Sequence, residues 1–175
     1  PHLEDRFHDL YHKESKRNLA ELIDAAIIPG LQGGPHNHQT AAIAVCLAEA
    51  ARPEFKTYGR QIVANCQALG EVLAAHGFDL VTGGTDNHLV LADVWTSYGI
   101  SGGEAEKMLD EAGMTLNKNA IADDTRKPMD PSGIRFGTPA LTTRGFKEAD
   151  CAEVARLMIE VLKGKCPKCD GYGAI

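Results

Sequence analysis

The chain has 175 residues, 43% of them hydrophobic and 24% charged, with a net charge of −6 at pH 7. That is enough apolar chain for a domain with its own core, and the acidic balance speaks against nucleic acid as the main ligand, because phosphate backbones are met by basic faces. No apolar run approaches the ~20 residues of a membrane helix, and Pro1-His2-Leu3-Glu4-Asp5 is neither basic nor apolar as a secretory signal would be, so a cytoplasmic protein with no membrane association is expected.

Residues 3–26 read as a helix that is polar at first and then amphipathic. His8 and His12 lie one turn apart on its polar part and are expected to be solvated. A break follows at Ile28-Pro29-Gly30-Leu31-Gln32-Gly33-Gly34-Pro35. An alanine-rich helix over 36–51 suggests close packing against another helix or subunit. Pro53 opens a long helix to about His76, with Gly77 as its C-terminal cap. Its stripe of Phe55, Tyr58, Ile62, Cys66, Leu69 and Leu73 has helical spacing.

Strands are expected at 78–82 and 88–94, separated by the turn cluster Gly83-Gly84-Thr85-Asp86-Asn87. Ser101 and Glu104 form a capping box for a helix ending near Gly113. Short strands are expected at 114–116 and 134–136. Residues 120–132 read as a loop in which Asp123 and Asp124 are solvated. A last helix over 147–163 turns Val154, Leu157, Met158 and Val161 inward. The fold class is therefore α/β, with helices and a small mixed sheet.

Of the five cysteines, Cys46 and Cys66 fall on apolar helical faces and read as core residues. The odd count fits reduced thiols. Cys166 and Cys169 form a lone CxxC without the two further ligands a zinc site needs, so no metal is assigned.

Four segments carry candidate chemistry. Gly33 and Gly34 precede a helix, where free N–H groups and the helix dipole favour an anion; a plain tight turn is the alternative. His36 and His38 beside them read as packing rather than metal ligands. Asn117-Lys118-Asn119 can brace a turn through its amides, or present a donor and an acceptor to a heterocycle's amide edge. Arg135 stands in a short apolar run bracketed by Gly133 and Gly137. A guanidinium there asks for a carboxylate, either from a ligand or from a structural ion pair. Arg144 reads as structural, and His88 as a brace for the turn before it.

These segments, together with Pro29-Gly30-Leu31-Gln32-Gly33-Gly34-Pro35-His36-Asn37-His38, Val81-Thr82-Gly83-Gly84-Thr85-Asp86-Asn87-His88-Leu89, Leu116-Asn117-Lys118-Asn119 and Ser132-Gly133-Ile134-Arg135-Phe136-Gly137-Thr138-Pro139, occur in one order. In that order the chain resembles the C-terminal part of the serine hydroxymethyltransferases. The resemblance implies a pyridoxal 5'-phosphate enzyme of the aspartate-aminotransferase-like fold type I, acting in one-carbon metabolism and glycine biosynthesis. It implies serine, glycine and tetrahydrofolate as substrates, and a homodimer or tetramer. It also implies that Arg135 binds the substrate carboxylate. Gly33 and Gly34 would reach the cofactor phosphate of the partner subunit, and Asn119 the folate ring.

The implied domains are 1–52, the end of the large cofactor-binding domain; 53–165, a linking helix and small α/β domain; and 166–175, an atypical tail. The family's Schiff-base lysine ends a Thr-His-Lys run that is absent here; Tyr11-His12-Lys13 matches it by two letters. This chain alone is therefore expected to be a fragment without catalytic residues and without activity. Ile28 stands where many members carry Phe. The rival expectation is a non-catalytic partner of a full-length protomer.

Overall fold

A computed structural model describes residues 16–164. The tail cysteines, His8, His12 and Tyr11-His12-Lys13 lie outside the described residues. The chain divides into two compact units, Pro1–Ala51 and Arg52–Ile175.

In the first unit, helix α1 (Leu19–Ala25) starts at a reciprocal cap. Glu21 N donates to Asn18 Oδ1 at 3.0 Å and Asn18 N donates to Glu21 Oε2 at 2.8 Å. Within the described residues, the expected helix over 3–26 thus begins only after Asn18, because a capping asparagine takes extended backbone rather than continuing a helix. A wound turn over Ala26–Leu31 is interrupted at Ile28, whose backbone is extended (φ −129°, ψ 118°). Pro29 excludes the helical region for the residue before it. Helix α2 (Asn37–Ala50) follows. No residue of α1 or α2 is buried. Cys46, expected in a core, is exposed.

The second unit holds the core. Helix α3 (Pro53–Ala75) begins with proline in its first turn, and Gly77 closes it with φ +92°, a backbone state open to glycine. Strand β1 is only Asp79–Leu80. Strand β2 (Leu89–Asp93) ends sooner than expected, because the Asp93 carboxylate accepts from Thr96 N at 3.0 Å and caps a short helix α4 (Val94–Tyr98) that the sequence reading missed.

Helix α5 (Gly102–Glu111) starts at Ser101, whose hydroxyl accepts from Glu104 N at 3.1 Å. Met114, expected to open a strand, instead donates its N–H to Leu109 O at 2.8 Å and closes α5. Pairing resumes only at β3 (Asn117–Asn119). Strand β4 (Gly133–Gly137) runs into a second unforeseen helix, α6 (Pro139–Thr143), and the chain ends its described part in α7 (Glu148–Leu162).

The sheet order is β1-β2-β4-β3, and every neighbouring pair is antiparallel. The expected mixed sheet is corrected on this point. Strands β2 and β3 do share a direction and are joined through α4 and α5, but β4 inserts between them and runs against both, so no parallel pair forms. Helices α3, α5 and α7 lie on one face. Leu69, Leu73, Val90, Ala92, Ile134, Ala155 and Met158 make the core between them, each at most 3% exposed. Helix α7 turns Cys151, Ala155, Met158, Ile159 and Leu162 inward, whereas Val154 and Leu157 are half-buried flanks.

Candidate functional site

The uncovered face of the sheet carries the candidate residues. In β4, Ile134 and Phe136 face the helices, so Gly133, Arg135 and Gly137 face outward, following the two-residue period of a strand. Asn117 pairs with Arg135 and Asn119 with Gly133 across β3–β4. Cross-strand partners share a face, so both asparagines stand on the Arg135 side. Lys118 points to the other face, 3.9 Å from Glu106 of α5.

Arg135 is isolated by design of the strand. Its neighbours two residues away on the same face are glycines. Gly133 is itself buried under Ile121: a Cβ there would meet Ile121 Cγ2 at 2.6 Å, Asn119 O at 2.8 Å and Ala92 O at 3.1 Å, and one at Gly137 would overlap the His88 carbonyl. Only glycine lets the flanking backbones come that close. The guanidinium is exposed and makes no ion pair or hydrogen bond among the described residues. The rival reading of Arg135, a structural ion pair, finds no partner among the described residues.

Arg135 lines a cleft of about 620 Å³ together with the loop over 82–87 and Leu89, Val90 and Leu91 of β2. The loop is braced from within. Thr82 Oγ1 donates to Gly84 O at 2.7 Å and Thr85 Oγ1 to Leu89 O at 2.6 Å. Asn87 Oδ1 accepts from Leu89 N at 2.8 Å. His88 contributes its carbonyl, which accepts from Thr138 N at 3.2 Å.

Asn119 sits in a strand, not the turn its composition suggested. Its amide donates to Ala120 O at 2.7 Å, which leaves the side-chain oxygen and one N–H without a partner among the described residues. The loop after it is organised by Asp124, expected to be solvated. This carboxylate accepts from Ser132 N (2.9 Å), Ser132 Oγ (2.7 Å), Arg126 N (2.9 Å) and Ile121 N (3.3 Å). Those donors, the Ser132 backbone first, hold its carboxyl well below the usual range. Asp130 is lowered as well, by hydrogen bonds from the Ser101 and Arg126 side chains. Arg126 also lies over the Trp95 ring at 4.2 Å. Asp123 is exposed.

Behind β4, a polar network missed in the sequence holds the strand to α3. Thr138 Oγ1 donates to Ile62 O at 2.8 Å, and Asn65 Nδ2 donates to Thr142 Oγ1 and Phe146 O, each at 2.8 Å. Asn65 and Thr138 are fully buried, so these bonds replace water that the site excludes. The signal available was Asn65 among the apolar stripe of α3. Burial pushes the neighbouring Cys66 thiol up. Arg144 closes α6 through its backbone N–H to Leu141 O at 3.0 Å.

The remaining candidates belong to the other unit. The N–H groups of Gly33 and Gly34 donate to nothing among the described residues. Nothing lies within 4 Å of a Cβ built at either position. The helix they precede, α2, has no side-chain cap. Uncapped N–H groups before a helix start suit a phosphate. His36 and His38 stack on each other at 5.7 Å between ring centroids, and His36 Nδ1 lies 3.1 Å from Gln39 Oε1.

Comparison with known proteins places these features in context. Residues 6–158 match the family described as Serine hydroxymethyltransferase. The serine hydroxymethyltransferase of Acidothermus cellulolyticus is 56% identical over 147 residues, which is 84% of this chain and 34% of that protein. That of Sorangium cellulosum is 55% identical over 146 residues, 83% of this chain and 34% of its own. That of Koribacter versatilis is 53% identical over 149 residues, 85% of this chain and 35% of its own. The chain spans about a third of the length of these curated relatives. No helix among the described residues is long and apolar enough to cross a membrane.

Proposed function

Because the chain belongs to the serine hydroxymethyltransferase family, we propose that it serves as the amino-acid- and folate-binding part of an enzyme converting serine and tetrahydrofolate to glycine and methylenetetrahydrofolate. One observation carries the reading: an arginine with no partner among the described residues on the open face of the sheet, with Asn119 one pair further along the neighbouring strand. Arg135 holds the α-carboxylate of serine or glycine by two parallel N–H···O bonds, which fixes both position and orientation. Asn119 offers its free oxygen and N–H to the amide edge of the pterin ring.

Gly33 and Gly34 direct free N–H groups at the phosphate of pyridoxal phosphate held by a partner subunit. Bound pyridoxal phosphate supplies the electron sink for breaking a bond at the amino acid's Cα. The reading gives this chain binding and orientation and assigns it no nucleophile. Helix α2 supports the shared site: Ile43, Val45 and Leu47 are each at least 58% exposed, and a helix apolar on several sides is one that another surface covers.

The test is Arg135→Ala in the complete holoenzyme that carries this segment, read by equilibrium dialysis with labelled serine. Losing two charge-assisted bonds predicts at least about a hundredfold weaker binding, from about 1.5–3 kcal/mol per bond. Serine affinity within twofold of wild type would overturn the assignment.

A further inference from the structure

The cleft beside Arg135 holds a second uncommitted charge. The hydroxyls of Thr82 and Thr85 are turned to backbone carbonyls of their own loop. The Asn87 oxygen is taken by Leu89 N. Gly83, Gly84, Leu89, Val90 and Leu91 bring no charge. Among the lining residues this leaves Arg135 and Asp86, and Asp86 is the one carboxylate. Asp86 is exposed, makes no ion pair among the described residues, and receives only the Asn87 amide at 3.3 Å. The loop bonds on either side hold it at the rim, so its position is fixed by the fold even though its carboxylate is free.

We infer that Asp86 is a specificity-determining residue of the amino-acid site, admitting monocarboxylic amino acids and repelling those with a second carboxylate. This rests on the reading of Arg135 as the carboxylate anchor. Asp86 and Arg135 line the same cleft of about 620 Å³, and charges that share a partly enclosed space are screened less than charges set apart on open surface, so an anion fixed there is felt by a ligand gripped at Arg135. A monocarboxylate satisfies Arg135 and carries nothing for Asp86 to oppose. A side-chain carboxylate meets Asp86 as a like charge in a partly enclosed space, with no second arginine there to receive it. A single free arginine would otherwise favour dianions over monoanions, and Asp86 removes that bias.

The test uses the complete holoenzyme and direct binding by isothermal titration of L-alanine and L-aspartate, which share a backbone and differ in the second carboxylate. Asp86→Asn keeps the shape and removes the charge. It is expected to tighten aspartate about five- to tenfold at low salt while alanine moves less than twofold. The gain should shrink as ionic strength rises. Asp86→Glu keeps the charge and should leave the aspartate-to-alanine ratio at its wild-type value. Equal shifts for both ligands, or none, in a variant whose melting temperature is unchanged would overturn the inference. Arg135→Ala is run alongside: if alanine binding survives it, the carboxylate reading itself fails, and that result is distinct from a null effect at Asp86.

Discussion

Arg135→Lys separates charge from shape at the site. Lysine keeps the positive charge but offers a point ammonium rather than a planar fork, so the two-bond grip becomes one. In the complete enzyme, serine binding should weaken about tenfold, less than for Arg135→Ala. Equal affinities for the wild type and the Lys variant would mean that only charge matters. Sequence alone could name Arg135 but could not choose between ligand and ion pair. The structure adds its surroundings, glycines on both sides along the strand and no ion-pair partner among the described residues, and these support the ligand reading proposed above.

Asp124 shows the opposite case, a residue read as solvated that gathers four hydrogen bonds. Nothing in its sequence position foretold this, because its donors, at Ile121, Arg126 and Ser132, depend on how the loop closes. Its folded pKa is depressed, so its contribution to stability is complete above the unfolded value near 3.9 and is lost as pH falls toward the depressed one. Asp124→Asn should therefore flatten the fall in stability below about pH 4 and leave the shape of the curve above pH 5 unchanged. Urea midpoints across that range are the measurement. An unaltered acid limb would show that the loop bonds do not carry linkage.

At the level of elements, α3 and α7 were legible because their apolar spacing, and the proline that opens α3, are local properties. The short elements were not. Helix α4 depends on Asp93 capping the chain as it leaves β2, and β3 begins only after Met114 has closed α5. The antiparallel order likewise depends on β4 inserting between β2 and β3, which no local pattern encodes. The glycines of β4 make the same point testable. Gly133→Ala would press a Cβ onto two backbone carbonyls, Asn119 O at 2.8 Å and Ala92 O at 3.1 Å, that belong to both flanking strands and cannot step aside independently. The cost should be at least the ~1–3 kcal/mol of an overpacked core. Gly84→Ala, with open space around it, should stay within about 0.5 kcal/mol. Chemical denaturation of the two variants side by side decides it, and similar losses for both would refute the steric account.

For the whole molecule, burial divides the chain more sharply than sequence did. The boundary after Ala51 separates the alanine-rich α2 from α3, and burial is what distinguishes the two sides. Among the described residues, every member of the apolar core lies in the second unit, where α3, α5 and α7 pack on the sheet, while α1 and α2 bury nothing. Hydrophobic burial is the main favourable term in folding, and a segment that buries no side chain cannot offset its own conformational entropy. A chain cut to residues 52–164 should therefore unfold in one cooperative transition, with about 5–15 kcal/mol of stability. Residues 16–51 alone should show no cooperative transition.

Thiol labelling reports the same division. Cys46 is exposed, and Cys66 and Cys151 are buried, with the Cys151 thiol pushed up to about 11 chiefly by burial. In the chain alone at pH 8, the exposed Cys46 should react rapidly, while Cys66 and Cys151 should react only as fast as the second unit opens. Peptide mapping after a timed pulse separates them. Rapid labelling of Cys66 or Cys151 in native buffer would mean that the α3–α7 core is not closed in solution, and the Arg135 face built on that core would lose its support.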